Sequence, residues 1–260
     1  MYSQYDITLV TSLFNIKSKF KFTNYLDWVK NLLQINTSIV FFIDEKISKQ
    51  VKKLRPEIYQ NKTIWIKTNI KNLYSYKNFI KNFIKNNLID NERKIHTTLL
   101  YVVWAEKCYF LKRAINRNYF NSKCFYWIDA GFFRNPKKSY NYLNKWPSRK
   151  KCFEDPRVII NSIKNLTTQE IEGFKKFNIQ IYNRIIRKTN VAGGFFGGKS
   201  YYLLKFISIY YKTIKLFIKK DMFIGKDQNL FAYISYLNKD IVNIIYSGKW
   251  KYFASYLSNK

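Results

Sequence analysis

Residues 125–131 read Phe-Tyr-Trp-Ile-Asp-Ala-Gly, an apolar run that ends in one carboxylate, one small residue and one glycine. A short aromatic and β-branched run bounded by glycine predicts a buried strand, and strands that are apolar throughout are typical of parallel sheets. In open α/β sheets, ligands bind at the carboxyl ends of the strands. Asp129 is therefore a candidate ligand for a metal or a substrate, with a helix cap or an Asx turn as the structural alternative.

The sequence before residue 125 alternates between strand-like and helix-like patterns. The predicted strands are Ile7–Phe14, Ser38–Ile43 and Thr63–Ile66, and helices are predicted around Tyr25–Leu32, at Lys46–Leu54, within 69–94 and at Ile95–Tyr119. A β-α-β-α-β order implies parallel strands joined by right-handed crossovers.

The second half of the chain has a different character. Residues 132–156 are rich in proline, aromatic residues and lysine, which predicts loop or short helix. The remaining predicted elements are antiparallel strands at Val158–Ile160 and Ile179–Ile181, helices at Tyr201–Ile218 and ending at Tyr236, a strand at Ile241–Tyr246 and a tail at Trp250–Leu257. Because no repeat or linker interrupts the sequence, we predict one α/β domain in two lobes, with a mixed, mostly parallel sheet flanked by helices.

The chain is strongly basic. It has 47 lysine and arginine residues against 16 acidic residues, a formal charge of +31. Such an excess favours anionic partners: nucleic acid, an acidic membrane surface or phosphorylated substrates. The lysines are spread along the whole chain, however, and lysine, asparagine, isoleucine and tyrosine are abundant together, as in AT-rich genomes. A basic nucleic-acid-binding protein without catalysis stays open as an alternative.

The cysteine and histidine content limits which metal sites and which disulfide pattern the protein can have. Three cysteines without a C-x-x-C pair argue against a disulfide framework or structural zinc, and the single His96 excludes a multi-histidine metal site. Met1–Asp6 carries no apolar signal region, and the longest uncharged apolar run, Thr98–Ala105, is far shorter than the ~20 residues of a spanning helix. We therefore expect a soluble protein without a transmembrane segment in the cytoplasm, or in the host cytoplasm or virion if the sequence is viral.

Two later segments are candidates for ligand contact. Asn190–Gly198 holds four of the eight glycines. Glycines let backbone N–H groups approach a phosphate or a sugar hydroxyl, but a bulged hairpin or close backbone packing also explains them. Gly193 and Gly198-Lys199-Ser200 have the spacing of a Walker loop, but Phe195 and Phe196 are bulky inside the loop and no strand-borne magnesium aspartate follows at the usual place, so a phosphate-binding loop of that type is not expected. Asp227 lies near a predicted helix start, either as its N-cap or as a carboxylate aimed at a reacting carbon or an acceptor hydroxyl, with Gln228 beside it to bond the sugar.

Four stretches together resemble the HtrL/YibB family: Asp6–Thr11, Trp127–Gly131, Gly193–Gly198 and Gly225–Gln228. The resemblance spans nearly the whole chain. That family is similar to metal-dependent glycosyltransferases with the GT-A fold, so the resemblance implies a single GT-A-like, Rossmann-like domain. Residues 1–131 would form its nucleotide-binding half, and residues 132–260 its acceptor and catalytic half, with a smaller lobe on the acceptor side.

The resemblance also implies roles for individual residues. In such enzymes a D-x-D motif at a strand end holds Mn²⁺ or Mg²⁺ together with the diphosphate of a nucleotide sugar. Asp129 and Asp227 would then bind the metal, and Asp227 and Gln228 would form the catalytic pair. The residues expected to contact the donor are Thr11, Asp129, Ala130, Gly131, Asn190, Gly193, Gly194 and Lys249.

The sequence departs from the D-x-D pattern in two places. Gly131 stands where the second aspartate would be, and Ser247-Gly248-Lys249 stands where several related transferases have a histidine ligand. The metal would then have fewer protein ligands, with diphosphate oxygens and water completing its shell. Lys249 and Lys226 are candidates to balance part of the charge on the leaving diphosphate.

The implied activity is transfer of a hexose, expected to be glucose from a UDP-sugar, to a hydroxyl of a glycan or a glycosylated protein. For a viral protein, a natural acceptor is galactosyl-hydroxylysine on a collagen-like chain, and for a bacterial protein it is a surface polysaccharide. No specific nucleic-acid partner is expected of such an enzyme. The incomplete D-x-D motif leaves a catalytically inactive sugar-binding relative open, and the sequence does not fix the oligomeric state.

Overall fold

The computed structural model describes residues 6–134, 143–185, 188 and 190–258. The strands, in chain order, are β1 (Ile7–Leu13), β2 (Ser38–Asp44), β3 (Thr63–Thr68), β4 (Cys124–Ile128), β5 (Val158–Ser162), β6 (Val191–Lys199) and β7 (Val242–Tyr246). They form one seven-stranded sheet in the order β3-β2-β1-β4-β6-β5-β7. Strands from both predicted halves therefore share a single sheet, and the boundary at residue 131 stays a prediction.

All strands except β6 run in the same direction. The four strands β3, β2, β1 and β4 are parallel neighbours, whereas β6 is antiparallel to both β4 and β5. β5 was expected to be an antiparallel strand. It is antiparallel to β6 but parallel to β7, its other neighbour. The predicted α/β class with a mixed, mostly parallel sheet is confirmed.

Helices cover both faces of the sheet and form two cores. One core is built with α1 (Phe22–Leu32), α2 (Ser48–Lys52), α5 (Arg149–Glu154) and α10 (Tyr252–Tyr256). The other is built with α3 (Tyr74–Ile89), α4 (Thr98–Arg117), α6 (Thr168–Lys175), α7 (Ile179–Ile185), α8 (Ser200–Lys219) and α9 (Asp227–Leu237). Strand side chains alternate between the cores, so that Val10 and Trp127 face α4 while Leu9 and Tyr126 face the other way. None of the helices in the described ranges is long and apolar enough to cross a bilayer.

One predicted strand is wrong, because Ile179–Ile181 lies in α7. Asn178 starts this helix: its carbonyl oxygen accepts from the Tyr182 N–H (2.9 Å), and its side-chain oxygen accepts from the Ile181 N–H (3.0 Å). The Ile-Gln-Ile alternation covers less than one helical turn, too little to separate a strand from a helix. Asn178 was the missed signal, since asparagine is a favoured N-cap. Of residues 132–156, predicted as loop or short helix, 135–142 lie outside the described ranges and Arg149–Glu154 forms α5.

The glycine-rich segment forms strand β6 rather than a turn. Gly197 has φ of +156°, and a Cβ on it would lie 2.1 Å from the carbonyl oxygen of Phe125 on β4. A Cβ on Gly198 would lie 2.3 Å from the carbonyl oxygen of Arg157. Close backbone packing on both sides of β6 therefore accounts for these two glycines.

We expect Gly197→Ala to lower the free energy of unfolding by at least about 2 kcal/mol, because the methyl group can be placed only by separating β6 from β4. The matched control is Gly248→Ala. Gly248 also has a positive φ (+67°), but the nearest atom to its Cβ would be 3.9 Å away, so it tests backbone strain without the clash. Urea unfolding of both variants measures the difference. Equal losses would show that the β4–β6 spacing relaxes at no cost.

Candidate active site

Asp129 follows β4 directly, at the carboxyl edge of the parallel strands. Its backbone N–H donates to the carbonyl oxygen of Gly194 (2.9 Å), and its Oδ1 accepts from Trp127 Nε1 (2.7 Å). The strand ends earlier than predicted because the Phe132 N–H donates back to the Asp129 carbonyl (2.9 Å) and closes a turn. Among the described residues, no backbone N–H donates to the Asp129 side chain, so the helix-cap alternative does not apply. The side chain is 34% exposed.

Lys107, in the middle of α4, connects the two predicted carboxylates. Its Nζ lies 3.0 Å from Asp129 Oδ1 and 2.8 Å from Asp227 Oδ2, and it donates to the carbonyl oxygen of Gly193 (3.0 Å). The ammonium group therefore has three oxygen atoms within 3.0 Å, two of them from carboxylates. The structure brings Asp129 and Asp227 together, as the sequence had predicted, but on a residue that the sequence interpretation overlooked.

A signal for Lys107 existed in the sequence. Its neighbours one turn away along the predicted helix are Val103, Trp104, Phe110 and Leu111, all apolar. A lysine on the apolar face of a helix is almost never buried unless it is paired, so its position already called for acidic partners.

The electrostatics of this group follow from its burial. Burial disfavours the charged form of Lys107, but the two carboxylates outweigh it, so the pKa of Lys107 is raised above its ordinary value. Burial raises the pKa of Asp227, and the nearby Lys107 only partly opposes that rise. Lys107 is thus a fixed positive charge between two acids of unequal exposure.

Asp227 is the first residue of α9 and is buried. Its Oδ1 accepts from the N–H of Gln228 (2.8 Å), and its Oδ2 faces Lys107. The N-cap position belongs to Lys226, so Asp227 does not cap the helix as the structural alternative proposed. Gln228 is half-buried beside it, and its side-chain amide makes no hydrogen bond within the described part of the chain.

Gly193 and Gly194 make room for the two carboxylates. A Cβ on Gly193 would lie 2.8 Å from Asp227 Oδ2, and a Cβ on Gly194 would lie 3.3 Å from Asp129 Oδ2. Because neither glycine has a side chain, β6 passes directly beside both acids. These glycines therefore belong to the site, next to the carboxylates.

Thr11 and Ser12 lie at the carboxyl end of β1. Val10 is level with Trp127 in the β1–β4 register, which puts Ser12 level with Asp129. Since side chains alternate, Ser12 lies on the α4 side of the sheet with Asp129, and the predicted Thr11 lies on the opposite side. Both hydroxyls are buried without a hydrogen-bond partner among the described residues. Ser12, which the sequence interpretation did not name among the donor contacts, is therefore at the level of Asp129 and on the same side of the sheet.

The packing around Gly131 leaves no room for the second aspartate of a D-x-D motif. A Cβ at this position would lie 2.9 Å from Cε3 of Trp28. The indole therefore fills the space that an aspartate side chain would need. Ala130, between Asp129 and Gly131, is buried.

Arg134 lies on the other side of this turn. Its Nε donates to the carbonyl oxygen of Gly131 (2.6 Å), and its guanidinium carbon lies 4.6 Å from the Trp28 ring centre and 5.3 Å from that of Phe20. Burial, with a smaller contribution from the charge of Arg134, lowers the pKa of Lys251 to about 8. No described carboxylate pairs with either of them.

Asn190 and Lys249, which were also predicted to contact the sugar donor, make different interactions in the structure. The side chain of Asn190 is buried and donates to the carbonyl oxygens of Ile185 and Lys188 (both 3.4 Å), so it holds the chain before β6. Lys249 follows β7 at the same edge of the sheet as Asp129, with its side chain exposed and its carbonyl oxygen accepting from Asn161 Nδ2 (2.6 Å).

Lys226 points to a separate ionic cluster. Its Nζ lies 3.2 Å from Asp90 Oδ1 and 2.5 Å from Glu92 Oε2. Burial alone would raise the pKa of Asp90, but hydrogen bonds from Tyr101, the Glu92 N–H and His96, together with the Lys226 charge, bring it down to about 2. Asp90, Glu92 and His96 offer metal-ligating atoms within 4.8 Å of one another, yet Lys226 already pairs with both acids. Lys226, the residue before Asp227, is therefore held by these two acids. It is not placed to bind a diphosphate.

Comparison with known proteins identifies a family and a fold. The family model described as "Bacterial protein of unknown function (HtrL_YibB)" matches residues 5–257. Core-mannan synthase A (CmsA/Ktr4) from Aspergillus fumigatus, in its Mn/GDP form, is similar with a TM-score of 0.52 and 12% identity over 92% of this chain and 72% of that one. This likeness confirms the GT-A-like fold. A 4-diphosphocytidyl-2C-methyl-D-erythritol synthase from Anaerococcus prevotii DSM 20548 aligns with a TM-score of 0.38 and 11% identity over 98% of this chain and 97% of that one. No curated protein matches the chain.

Proposed function

This chain belongs to the HtrL_YibB family, and we propose that it is a metal-dependent glycosyltransferase that moves a hexose from a nucleotide sugar to a hydroxyl group. The observation that carries the proposal is the meeting of Asp129 and Asp227 on Lys107, at the carboxyl edge of the sheet. This edge is where open α/β sheets bind their ligands. A buried acid with a specific charged partner at such an edge, as Asp227 is, is typical of catalytic sites.

A divalent cation fits Asp129 better than Asp227. Asp129 Oδ1 is engaged by Trp127 and Lys107, whereas no described donor reaches Oδ2. Both oxygens of Asp227 are engaged, by the Gln228 N–H and by Lys107. One carboxylate suffices for Mg²⁺ or Mn²⁺ when substrate phosphates and water supply the other ligands. A cation held there would stabilise the charge that develops on the departing diphosphate.

The other residues of the site then have distinct tasks. Lys107 holds both carboxylates in place and keeps Asp227 beside Gly193. Asp227, whose pKa is raised by burial, is suited to accept a proton from the acceptor hydroxyl or to face the reacting carbon of the sugar. Gln228, at the start of α9, would bond the sugar hydroxyls.

Arg134 and Lys251 are suited to bind the diphosphate. An anion would supply the negative partner that both cations lack among the described residues. The stacking of Arg134 on Trp28 and its bond to Gly131 hold the guanidinium next to the Asp129 turn. A nucleoside diphosphate with one end at Asp129 would therefore meet a second positive site there.

Within this activity we propose UDP-glucose as the donor and a glycan or glycosylated protein as the acceptor, with galactosyl-hydroxylysine or a surface polysaccharide as the two cases to test. The cytoplasm stays the proposed location. The similar Aspergillus structure is a Mn/GDP form, so GDP and Mn²⁺ belong in the screen.

A thermal-shift screen tests the proposal, since a ligand that binds only the native state stabilises it by about 2.7 kcal/mol at 100 times its Kd. UDP and GDP are each added with and without Mn²⁺. We expect the melting temperature to rise only when nucleotide and metal are both present. No shift with either combination contradicts the proposal, and stabilisation by a single-stranded oligonucleotide alone favours the nucleic-acid-binding alternative.

We expect Arg134→Gln to raise the KM for the donor by about tenfold or more with a smaller change in kcat, since a hydrogen bond to a charged group contributes about 1.5–3 kcal/mol. Steady-state kinetics with varied donor measures this. Arg157→Gln is the control, because Arg157 pairs with Asp155 (2.6 Å) before β5, away from the carboxyl edge. An unchanged KM in Arg134→Gln would remove Arg134 from the donor site.

A further inference from the structure

A cavity of about 240 Å³ lies between α4 and α8 and is not lined by any residue of the carboxylate site. Three tyrosines and three lysines line it over an apolar floor: Tyr74, Tyr109, Tyr211, Lys112, Lys212 and Lys215. We call it the α4–α8 pocket. None of these side chains contacts Lys107, Asp129 or Asp227 among the described residues, so the pocket needs an explanation of its own.

The α4–α8 pocket is positively charged. Lys112, Lys212 and Lys215 are exposed, and none of them pairs with a described carboxylate. Helix α8 contains no acidic residue, and α4 contains only Glu106. That carboxylate is turned inward and accepts from the N–H groups of Tyr74 (3.0 Å) and Ser75 (2.7 Å) at the start of α3. The lysines are therefore left to an external anion.

The walls of the pocket are preformed aromatic surfaces. Tyr74 and Tyr109 are stacked with ring centres 4.7 Å apart, and Tyr211 stands edge-on to Tyr74 at 5.2 Å. The Tyr211 hydroxyl donates to the carbonyl oxygen of Ala105 (3.0 Å), which fixes its ring against α4. Rigid aromatic walls suit a ligand that is itself a ring.

The size of the cavity favours a ligand with a single ring. Pockets for drug-sized ligands have volumes of roughly 300–1,000 Å³, and this one is smaller. A sugar phosphate, which has one ring, matches this volume more closely than a nucleotide, which has a base, a ribose and a phosphate. Three lysines match a dianionic phosphate better than a monoanionic carboxylate, and lysine binds phosphate as a point charge.

We propose that the α4–α8 pocket is a second ligand site that binds a sugar phosphate, with the sugar ring against the tyrosines and the phosphate among the lysines. This inference does not rest on the glycosyltransferase activity. It assigns a function to a surface that the carboxylate site does not use.

Isothermal titration with glucose 1-phosphate tests the proposal in the full chain. The pocket variant carries Lys112→Ala, Lys212→Ala and Lys215→Ala. The control variant carries Lys77→Ala, Lys81→Ala and Lys85→Ala, which removes the same charge from the exposed face of α3. We expect wild type and control to bind alike and the pocket variant to bind at least tenfold more weakly. Equal binding by the two triple variants would overturn the proposal.

Titrations with inorganic phosphate and with Tyr109→Ala separate the contribution of the lysine charges to binding from that of the tyrosine rings. Inorganic phosphate should bind wild type more weakly than glucose 1-phosphate does, and Tyr109→Ala should reduce the binding of glucose 1-phosphate alone. If inorganic phosphate binds as tightly as the sugar phosphate, the tyrosines contribute nothing and the assignment fails. Repeating the titration with UDP and Mn²⁺ present should leave binding unchanged, and competition would place the ligand at Asp129 instead.

Discussion

Asparagine in place of Asp129 is expected to lower the rate of sugar transfer by on the order of 100-fold or more, the usual loss when one preorganised stabiliser of transition-state charge is removed. Of the two site carboxylates, Asp129 is the one with an oxygen that no described donor occupies. A neutral amide is a much poorer ligand for a hard divalent cation. The melting temperature should change little, because Asp129 is partly exposed and Lys107 keeps its contacts with Asp227 and Gly193.

The measurement is release of nucleoside diphosphate from the donor at saturating metal. Asp155→Asn is the matched control: it removes an acid that pairs with Arg157 before β5, and it should leave turnover intact. Loss of the UDP-plus-Mn²⁺ thermal shift in Asp129→Asn would place the defect in metal and diphosphate binding. Near-normal turnover in that variant would end the assignment of Asp129.

Methionine in place of Lys107 is expected to lower the free energy of unfolding by about 3–5 kcal/mol, the cost of removing one partner from a buried ion pair. The methionine side chain is similar in length to that of lysine, so the dominant change is the loss of the positive charge. Asp227 is left buried without its cation, and Gly193 loses a donor to its carbonyl oxygen. Transfer activity should fall with stability, since both carboxylates lose the group that orients them. Urea unfolding at neutral pH measures the loss.

A double-mutant cycle separates this charge effect from lost packing. Lys107→Met combined with Asp227→Asn removes both charges, and the pair should be less destabilised than the sum of the single variants. Lys175→Met is the exposed control. Its ammonium pairs with Glu172 on the surface, and such pairs contribute at most about 1 kcal/mol. Additive effects in the cycle would show that Lys107 and Asp227 do not interact.

Much of the fold, and the two carboxylates that the structure brings together at the candidate site, could be predicted from the sequence. The strands of the first half are mostly apolar, short and rich in β-branched and aromatic residues, so their pattern favours a strand. Asp129 at a strand end and Asp227 at a helix start were identified by position. Ile179–Ile181 was mispredicted because three residues cannot distinguish the period of a strand from that of a helix. The glycines of β6 were ambiguous, because close packing and ligand approach require the same residue.

The remainder of the site depends on contacts that no local pattern encodes. Lys107 was overlooked because its partners follow it by many residues, and only the packing of α4 against β4 and α9 brings them to one ammonium group. The loss of the second D-x-D acid at Gly131 is explained by Trp28, which comes from α1. Ser12 differs from Thr11 only in the face of β1 that it occupies, and that face is fixed by the sheet register.

The position of β4 in the strand order has a consequence for synthesis on the ribosome. β4 lies between β1, which is made before it, and β6, which begins at Val191. Until β6 is translated, the edge of β4 that later pairs with it has unpaired N–H and C=O groups. An apolar, unpaired strand edge is prone to wrong pairing and aggregation. Nascent chains stalled before Val191 should therefore be more sensitive to protease, and should need holding chaperones more, than chains extended past Lys199.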